Sequence, residues 1–447
     1  MREQRGYALF LDMGTGKTRV LAEDLLEPER LPALILVRTS TLGHWASEIV
    51  RWTPRIGRVL VFSSKPLVGL PEGVANVWRK NERLRAMLDS SVPVKIVGYD
   101  LFKRFRLDHG QMWPFRSVVL DESTQVKNPK SDRTSRVRYA CRTARFRRIA
   151  SGFPAPEGLF DLWSQYDLIL PGLLGSSYGA FLREFFLPRE NTWGTEWVAR
   201  IGTFDAIMSR TAPHTIRARR EECLDIPPKV YEHRTVDPSP ETWRLVSDAM
   251  EEWELPAKTL REATDRTLKL LQLPCGFYYD DKRQPQFHQD TAKVDEIADL
   301  IQEASGERVV IWTPWIAHQA LLVRELRKRV TESVTSGLDD TAVRDWKQTQ
   351  GAVLVTTFRL QQGVNLAEGK GPSALAIYAA RPFKTEERAQ SEDRQVRPPQ
   401  DRAVRIVDVV ANTWHDQAYY QLLRDKVGLA DAIAQGHLSA DHREVEV

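Results

Sequence analysis

Cysteine is scarce in this chain. Cys141, Cys223 and Cys275 are the only three in 447 residues, too few and too scattered for a disulfide framework or a metal knuckle. Reduced, buried thiols are the expectation. Long apolar runs are missing too, since no stretch approaches the roughly 20 apolar residues that a membrane helix needs. The opening residues, MREQRGYALF, carry no apolar signal core and no signal-like cleavage site. These absences predict an intracellular protein without membrane attachment. An excess of one charge is also missing: 64 Lys and Arg stand against 60 Asp and Glu, a net charge of +4. That balance does not announce nucleic acid. Low-complexity tracts and solenoid periods are absent as well.

What is present is 42% hydrophobic and 28% charged residues, the balance of a soluble globular protein. The length favours two or three domains over one core. Three basic runs, RTARFRR at 142–148, TIRARR at 215–220 and RELRKR at 324–329, read either as solvated faces or as phosphate tracks. The thirteen tryptophans read mostly as packing residues.

Short apolar strands alternate with amphipathic stretches over the first 170 residues. YALFLD, ALILVR, VKIVGY, SVVLDE and FRRIAS are spaced for parallel strands joined by helical crossovers. The texture returns from about 308 with RVVIWTP, VTESV, AVLVTT, ALAIYA and VRIVDVV. The fold class expected is α/β, with two parallel-sheet lobes. Helical excursions are expected at about 172–225 and 238–290, and the lobe boundary near 235, just after the Pro227–Pro228 pair.

The run LFLDMGTGKT at 9–18 resembles a phosphate-binding loop, but Leu11 stands where the G-x-x-x-x-G-K-[ST] pattern has its first glycine. Gly14 and Gly16 permit a tight turn and let backbone N–H groups approach a phosphate at a helix N-terminus. Lys17 can reach β- and γ-phosphates, and the Thr18 hydroxyl can ligate Mg²⁺. Taken alone, the run also fits an ordinary strand-turn-helix. The next observation is a strand-end carboxylate pair, Asp121 and Glu122 in SVVLDESTQVKNP. An Asp there can hold Mg²⁺ and the adjacent Glu can orient or deprotonate water, although DE at a strand end is also a common solvated turn. Far along the chain, TEERAQSEDRQVRPPQ places Gln390, Arg394 and Arg397 at spacings of four and three, so one helix would carry all three on a face. They read either as a salt-bridged surface with Glu392 and Asp393, or as arginine fingers for a transferring phosphoryl group.

In order, these stretches resemble the Swi/Snf-type ATPases, the DNA-translocating branch of helicase superfamily two. LDMGTGKT resembles motif I, LILVRTSTLGHWASEI motif Ia, VVLDESTQVKNPKS motif II and RIASGFPAPEGLFDLWSQYDLILPGLLG motif III. KIVGYDLF also matches, and RVVIWTPW, VLVTTFRLQQGVNL and QSEDRQVRPPQ resemble motifs IV, V and VI. The likeness runs from about residue 8 to about 425. It implies two RecA-like lobes with ATP and Mg²⁺ between them and double-stranded DNA as partner. By position, Gly14, Thr15, Gly16, Lys17, Thr18 and Gly363 would bind nucleotide, and Thr18 and Asp121 the metal. Lys17, Asp121, Glu122, Gln390, Arg394 and Arg397 would be catalytic. Ser151, Gly152 and Pro154 would link nucleotide to lobe motion, and Asn365 would belong to motif V with Gly363. Arg38, Thr39, Thr313 and Thr356 align with contacts to DNA phosphates, though each also suits a strand-end cap.

The sequence departs from the family pattern at Thr124, where many relatives have histidine, at Phe153 in place of threonine, and at Pro398–Pro399 after Arg397. An upstream adenine-reading glutamine is not evident either, because Gln4 sits too close to the loop. Weak nucleotide affinity is therefore expected. The resemblance implies a monomeric motor moving along duplex DNA without separating strands, in the cytoplasm of a bacterial or phage-infected cell, targeted by a protein partner, by DNA structure or not at all. Two rival readings are an ATP-gated DNA-binding module without motor activity, and a strand-separating RNA or DNA helicase.

Overall fold

The computed structural model describes residues 5–191, 194–253, 257–304, 306–337, 340–360 and 364–425. Its strands are β1 (Gly6–Leu11), β2 (Ala33–Val37), β3 (Val59–Phe62), β4 (Val74–Val77), β5 (Val94–Gly98), β6 (Ser117–Asp121), β7 (Phe146–Ala150), β8 (Phe186–Asn191), β9 (Gly194–Ala199) and β10 (Thr215–Ala218). They continue as β11 (Lys229–Val236), β12 (Phe277–Tyr279), β13 (Pro285–Phe287), β14 (Val309–Thr313), β15 (Val334–Ser336), β16 (Val353–Thr357), β17 (Leu375–Tyr378) and β18 (Val404–Ala411).

Two parallel sheets result. One has eight strands in the order β10-β1-β7-β6-β2-β5-β3-β4, the other six in the order β11-β18-β17-β14-β16-β15. The pairs β8–β9 and β12–β13 stand apart from both. The α/β class and the two parallel sheets are thus as the sequence predicts. The chain divides into two compact units. Met1–Arg189 and Thr195–Leu224 dominate the first, and Asp225–Leu360 with Val364–Val447 the second.

The physical basis is visible strand by strand. A sheet covered by helices on both faces needs strands that are apolar throughout, and ALILV of β2 is buried at every position. Successive side chains go to opposite faces. Leu34 and Leu36 join one core with Ala8, Phe10 and Leu120, while Ala33, Ile35 and Val37 join another with Leu9 and Val119. The helices answer with a 3.6-residue stripe: Leu42, Trp45, Ala46 and Ile49 are the buried positions of helix Leu42–Trp52.

Some elements differ from expectation. The segment 172–225 holds helices Tyr178–Phe185 and Thr203–Thr211, but also β10, which pairs with β1 at the sheet edge. The division falls at Leu224–Asp225 rather than near 235, because β11 is hydrogen-bonded to β18 along its whole length. VTESV yields a strand only from Val334 onward. Of the basic runs, 142–148 is not simply a surface: Arg148 is buried in β7, and its Nε donates to Asp24 at 3.0 Å.

Candidate nucleotide site

Four of the motif-bearing stretches leave the C-terminal ends of β1, β7, β6 and β2, which are consecutive in the eight-stranded sheet. That end of an open parallel sheet is where ligands bind. After β1 the chain turns through Gly14 and Gly16 at φ +85° and +90°, values that glycine adopts without steric cost. Nothing lies within 4 Å of where a Cβ would stand on either glycine. Helix Lys17–Asp24 then begins with no side-chain cap at Gly16, which leaves its first N–H groups for another acceptor.

The Lys17 amine donates to the carbonyls of Leu11 at 2.7 Å and Asp12 at 3.0 Å. The loop after β7 passes close by: a methyl group on Gly152 would lie 3.2 Å from Met13 Cγ and 3.5 Å from Lys17 Nζ. The loop is also braced from β10's side. Arg220, buried at the end of the second basic run TIRARR, donates through Nη2 to Met13 O at 2.7 Å, and its backbone N–H donates to Asp12 Oδ2 at 2.9 Å. Arg220 is neither solvated nor a phosphate track; it holds the glycine loop.

Asp121 ends β6 and is fixed twice. Trp45 Nε1 donates to its Oδ2 at 2.7 Å, and Tyr99 Oη donates to its carbonyl at 2.8 Å. Burial pushes the Asp121 carboxyl above the ordinary carboxylate range, with the Trp45 N–H and the Lys17 charge pulling the other way. Glu122 adopts a left-handed backbone, φ +49° and ψ +59°, a conformation that costs a non-glycine residue about 1 kcal/mol or more. On its far side Ser123 Oγ donates to Gln165 Oε1 at 2.6 Å. Thr124 is buried.

In the second unit, the expected common helix for Gln390, Arg394 and Arg397 is not present. Helix Thr385–Glu392 carries Gln390 and stops with Asp393 as its C-cap; both arginines lie in the turns that follow. Pro398 disfavours helical backbone at Arg397 and cannot itself donate to the ladder, so the run ends early. Gln390 Nε2 donates to Glu386 Oε1 at 2.7 Å. Arg394 is buried, donates to Leu360 O at 2.9 Å and lies over the Trp312 ring. Glu392 receives Arg388 at 2.6 Å and Lys229 at 3.0 Å, and Lys229 also bridges Asp393 at 3.2 Å. Arg397 is half-buried.

The residues aligned with DNA phosphates separate into two groups. Arg38 is half-buried and Thr39 exposed at the C-terminal end of β2. Thr313 and Thr356 are fully buried. The Thr313 hydroxyl lies 2.8 Å from His318 Nδ1, and Thr356 Oγ1 donates to Gly337 O at 3.0 Å. These two take the capping alternative, not a surface contact. Gly363 lies outside the described residues, and Asn365 Nδ2 donates to Pro398 O at 2.9 Å. Sequence reasoning missed Trp45, Tyr99, Gln165 and Arg220. All but Arg220 fall inside stretches quoted for the resemblance, yet nothing in one sequence tells which of their neighbours they reach.

A glycine loop opening a helix, a lysine at its start and a carboxylate pair two strands away stand at one end of a parallel sheet, an arrangement suited to a phosphate-bearing ligand. The residues suit ATP and a divalent cation: the uncapped helix start offers donors, and Asp121 keeps an oxygen beyond the one that Trp45 engages. The SNF2-related domain matches residues 1–273, more than half of the chain. The chain therefore belongs to the SNF2-related family and is an ATPase of that family, which implies binding and hydrolysis of ATP. The TATA-binding protein-associated factor mot1 of Aspergillus fumigatus is 28% identical over 59% of this chain, which spans only 14% of that protein's length. Putative protein p41 of Acyrthosiphon pisum secondary endosymbiont phage 1 is 23% identical over 96% of this chain and 94% of its own. The crystal structure of the Pyrococcus furiosus Hef helicase domain aligns over 94% of this chain and 95% of that chain, with a TM-score of 0.50 at 15% identity. That last likeness is one of fold.

Proposed function

We propose that this chain is an ATP-dependent translocase on double-stranded DNA, which remodels DNA or protein–DNA complexes without separating the strands. The observation that carries the reading is the convergence of Lys17, Asp121–Glu122, Gly152 and Arg38 at the same end of four consecutive strands, in a chain whose family membership supplies the ATPase activity. Lys17 and Thr18, with the backbone N–H groups of Gly14 to Gly16, bind the triphosphate. Asp121 and Thr18 would hold Mg²⁺, which when bound neutralises charge on the phosphate oxygens. Glu122 orients the attacking water and takes its proton. Arg394 and Arg397 stabilise the charge that develops on the transferring phosphoryl group, and Gln390 supports them.

Arg38 and Thr39, at the accessible end of β2, contact the phosphodiester backbone. Contacts of that kind position the protein without reading sequence. A net charge of only +4 confines them to a local groove rather than a basic surface.

The test is steady-state ATP turnover with and without duplex DNA, for wild type, Glu122→Gln and Arg397→Ala. Duplex DNA should stimulate the wild type strongly, and single strands or RNA should not replace it. Each variant should lose about two orders of magnitude or more in turnover. Movement is read separately by displacement of a triplex-forming strand from the duplex. Wild-type turnover in Glu122→Gln would sink the site assignment, and DNA-stimulated turnover without displacement would sink the motor.

A further inference from the structure

Helix Asp161–Ile169 carries no residue that sequence reasoning assigned to the site, yet it is tied to both loops that form the site's inner wall. Gln165, with no exposed surface, sits at the junction. Its Oε1 accepts from Ser123 Oγ at 2.6 Å, directly after Glu122. Its Nε2 donates to the carbonyl of Pro154 at 2.6 Å and to that of Asp161 at 2.9 Å. Both ends of one amide are therefore used, one on the loop after β6 and one on the loop after β7. Beside it Ser164 Oγ donates to Val126 O at 2.6 Å, a second tie to the carboxylate loop. Lys127 completes the seam at 3.3 Å from Asp161 and 2.7 Å from Glu157.

Two features give these ties a consequence for the chemistry. Glu122 holds a left-handed backbone that persists in a non-glycine residue only where its surroundings fix it. The Tyr99 bond to Asp121 O fixes one side, and the Ser123–Gln165 bond fixes the other. The Pro154 loop in turn carries Ser151, whose Oγ accepts from Phe153 N at 3.1 Å, and Gly152, which abuts Lys17. A buried amide with both ends satisfied is rigid in orientation, because breaking either bond leaves a polar atom without water.

We propose that Gln165 is a positioning residue for ATP hydrolysis. Its amide ties the loop of Asp121 and Glu122 to the Ser151–Pro154 loop and holds the carboxylate and lysine sides of the pocket in one arrangement. This rests on the proposed roles of Glu122 and Lys17. A role in chemistry, as opposed to folding alone, requires that the bond to Ser123 and the amide act as one unit in turnover and leave nucleotide binding nearly unchanged.

The test uses the full chain with saturating duplex DNA and the variants Gln165→Met, Ser123→Ala, the double variant and Glu122→Gln. Turnover and KM for ATP are measured, along with the Kd of a fluorescent ATP analogue and the thermal midpoint. Each single variant should lose about tenfold in kcat, with KM and Kd within about twofold of wild type. The double variant should lose no more than the worse single one. Gln165→Met turning over at the wild-type rate while Glu122→Gln is inactive would overturn the proposal alone. So would losses that multiply in the double variant. Should Gln165→Met not fold, Ser123→Ala decides: an unchanged kcat overturns the proposal and a loss confined to kcat supports it. Full turnover in Glu122→Gln overturns the site assignment instead, and the two failures are thereby told apart.

Discussion

At the scale of single residues, the carboxylate end of β6 shows how much of a site lies outside its motif. Asp121 and Glu122 are readable because they close a buried strand in the same α/β unit as the glycine loop. Their geometry is not, since it is set by Trp45, 76 positions away, and Gln165, 42 positions from Ser123. Spacing along the chain carries no signal for partners that far apart. Trp45→Phe separates the two properties of that side chain: it keeps an aromatic ring in the core and removes the N–H that holds Asp121 Oδ2. The smaller ring should cost about 1–3 kcal/mol of stability. The lost donor should lower ATP turnover about tenfold and raise the Mg²⁺ concentration needed for half-maximal rate. Turnover and Mg²⁺ dependence equal to wild type would show that the indole bond does not position the carboxylate. Glycine was the more legible residue: Gly14 and Gly16 have the positive φ that a loop of this kind requires.

At the scale of elements, most central strands were legible, but β3, buried throughout and paired on both sides, was not expected, and of the edge strands only β15 was expected in part. β1, β2, β5, β6 and β7 were expected as strands, and so were β14, β16, β17 and β18, although β5 carries Lys95, β7 Arg147 and Arg148, and β18 Arg405 and Asp408. β10 and β11 have mostly half-exposed or exposed positions, so composition gives no hint that they pair at the sheet edges. The motif VI helix failed for another reason: a spacing of four and three fits a helix only where no proline follows within a turn. The end of β14 offers a further prediction. His318, on helix Ile316–Leu326, is fully buried, bonded to Thr313 and stacked on Phe277 at 5.8 Å. Burial holds its pKa down to about 3, against about 6.5 in the unfolded chain. A depressed histidine gives its full stabilisation above the unfolded value and loses it as pH falls from about 6.5 toward 3. His318→Asn keeps an acceptor for Thr313 and removes the titration. Urea unfolding at pH 7 and pH 5 should show wild type losing about 1–2 kcal/mol more than the variant between those conditions. Equal losses would mean that His318 is not held neutral in the folded protein.

At the scale of the whole molecule, the proposed function asks how a chain with nearly balanced charge would grip a polyanion. Much of its arginine and lysine is already committed within the fold: Arg148 to Asp24, Arg388 to Asp408 and Glu392, and Lys293 to Asp416. Those charges cannot also release counterions from DNA, so on the proposed reading affinity rests on groups at the end of β2 such as Arg38. Each phosphate contact contributes about −0.9 to the slope of log affinity against log salt on duplex DNA. Arg38→Ala should therefore flatten that slope by about 1 and weaken binding equally across unrelated duplex sequences. Thr313→Val and Thr356→Val remove hydroxyls that are bonded inside the second unit, so they should lower stability and leave the slope unchanged. Fluorescence anisotropy of labelled duplexes over a salt series measures all three. A threonine variant that flattens the slope, or an Arg38→Ala slope equal to wild type, would move the phosphate track elsewhere on the molecule.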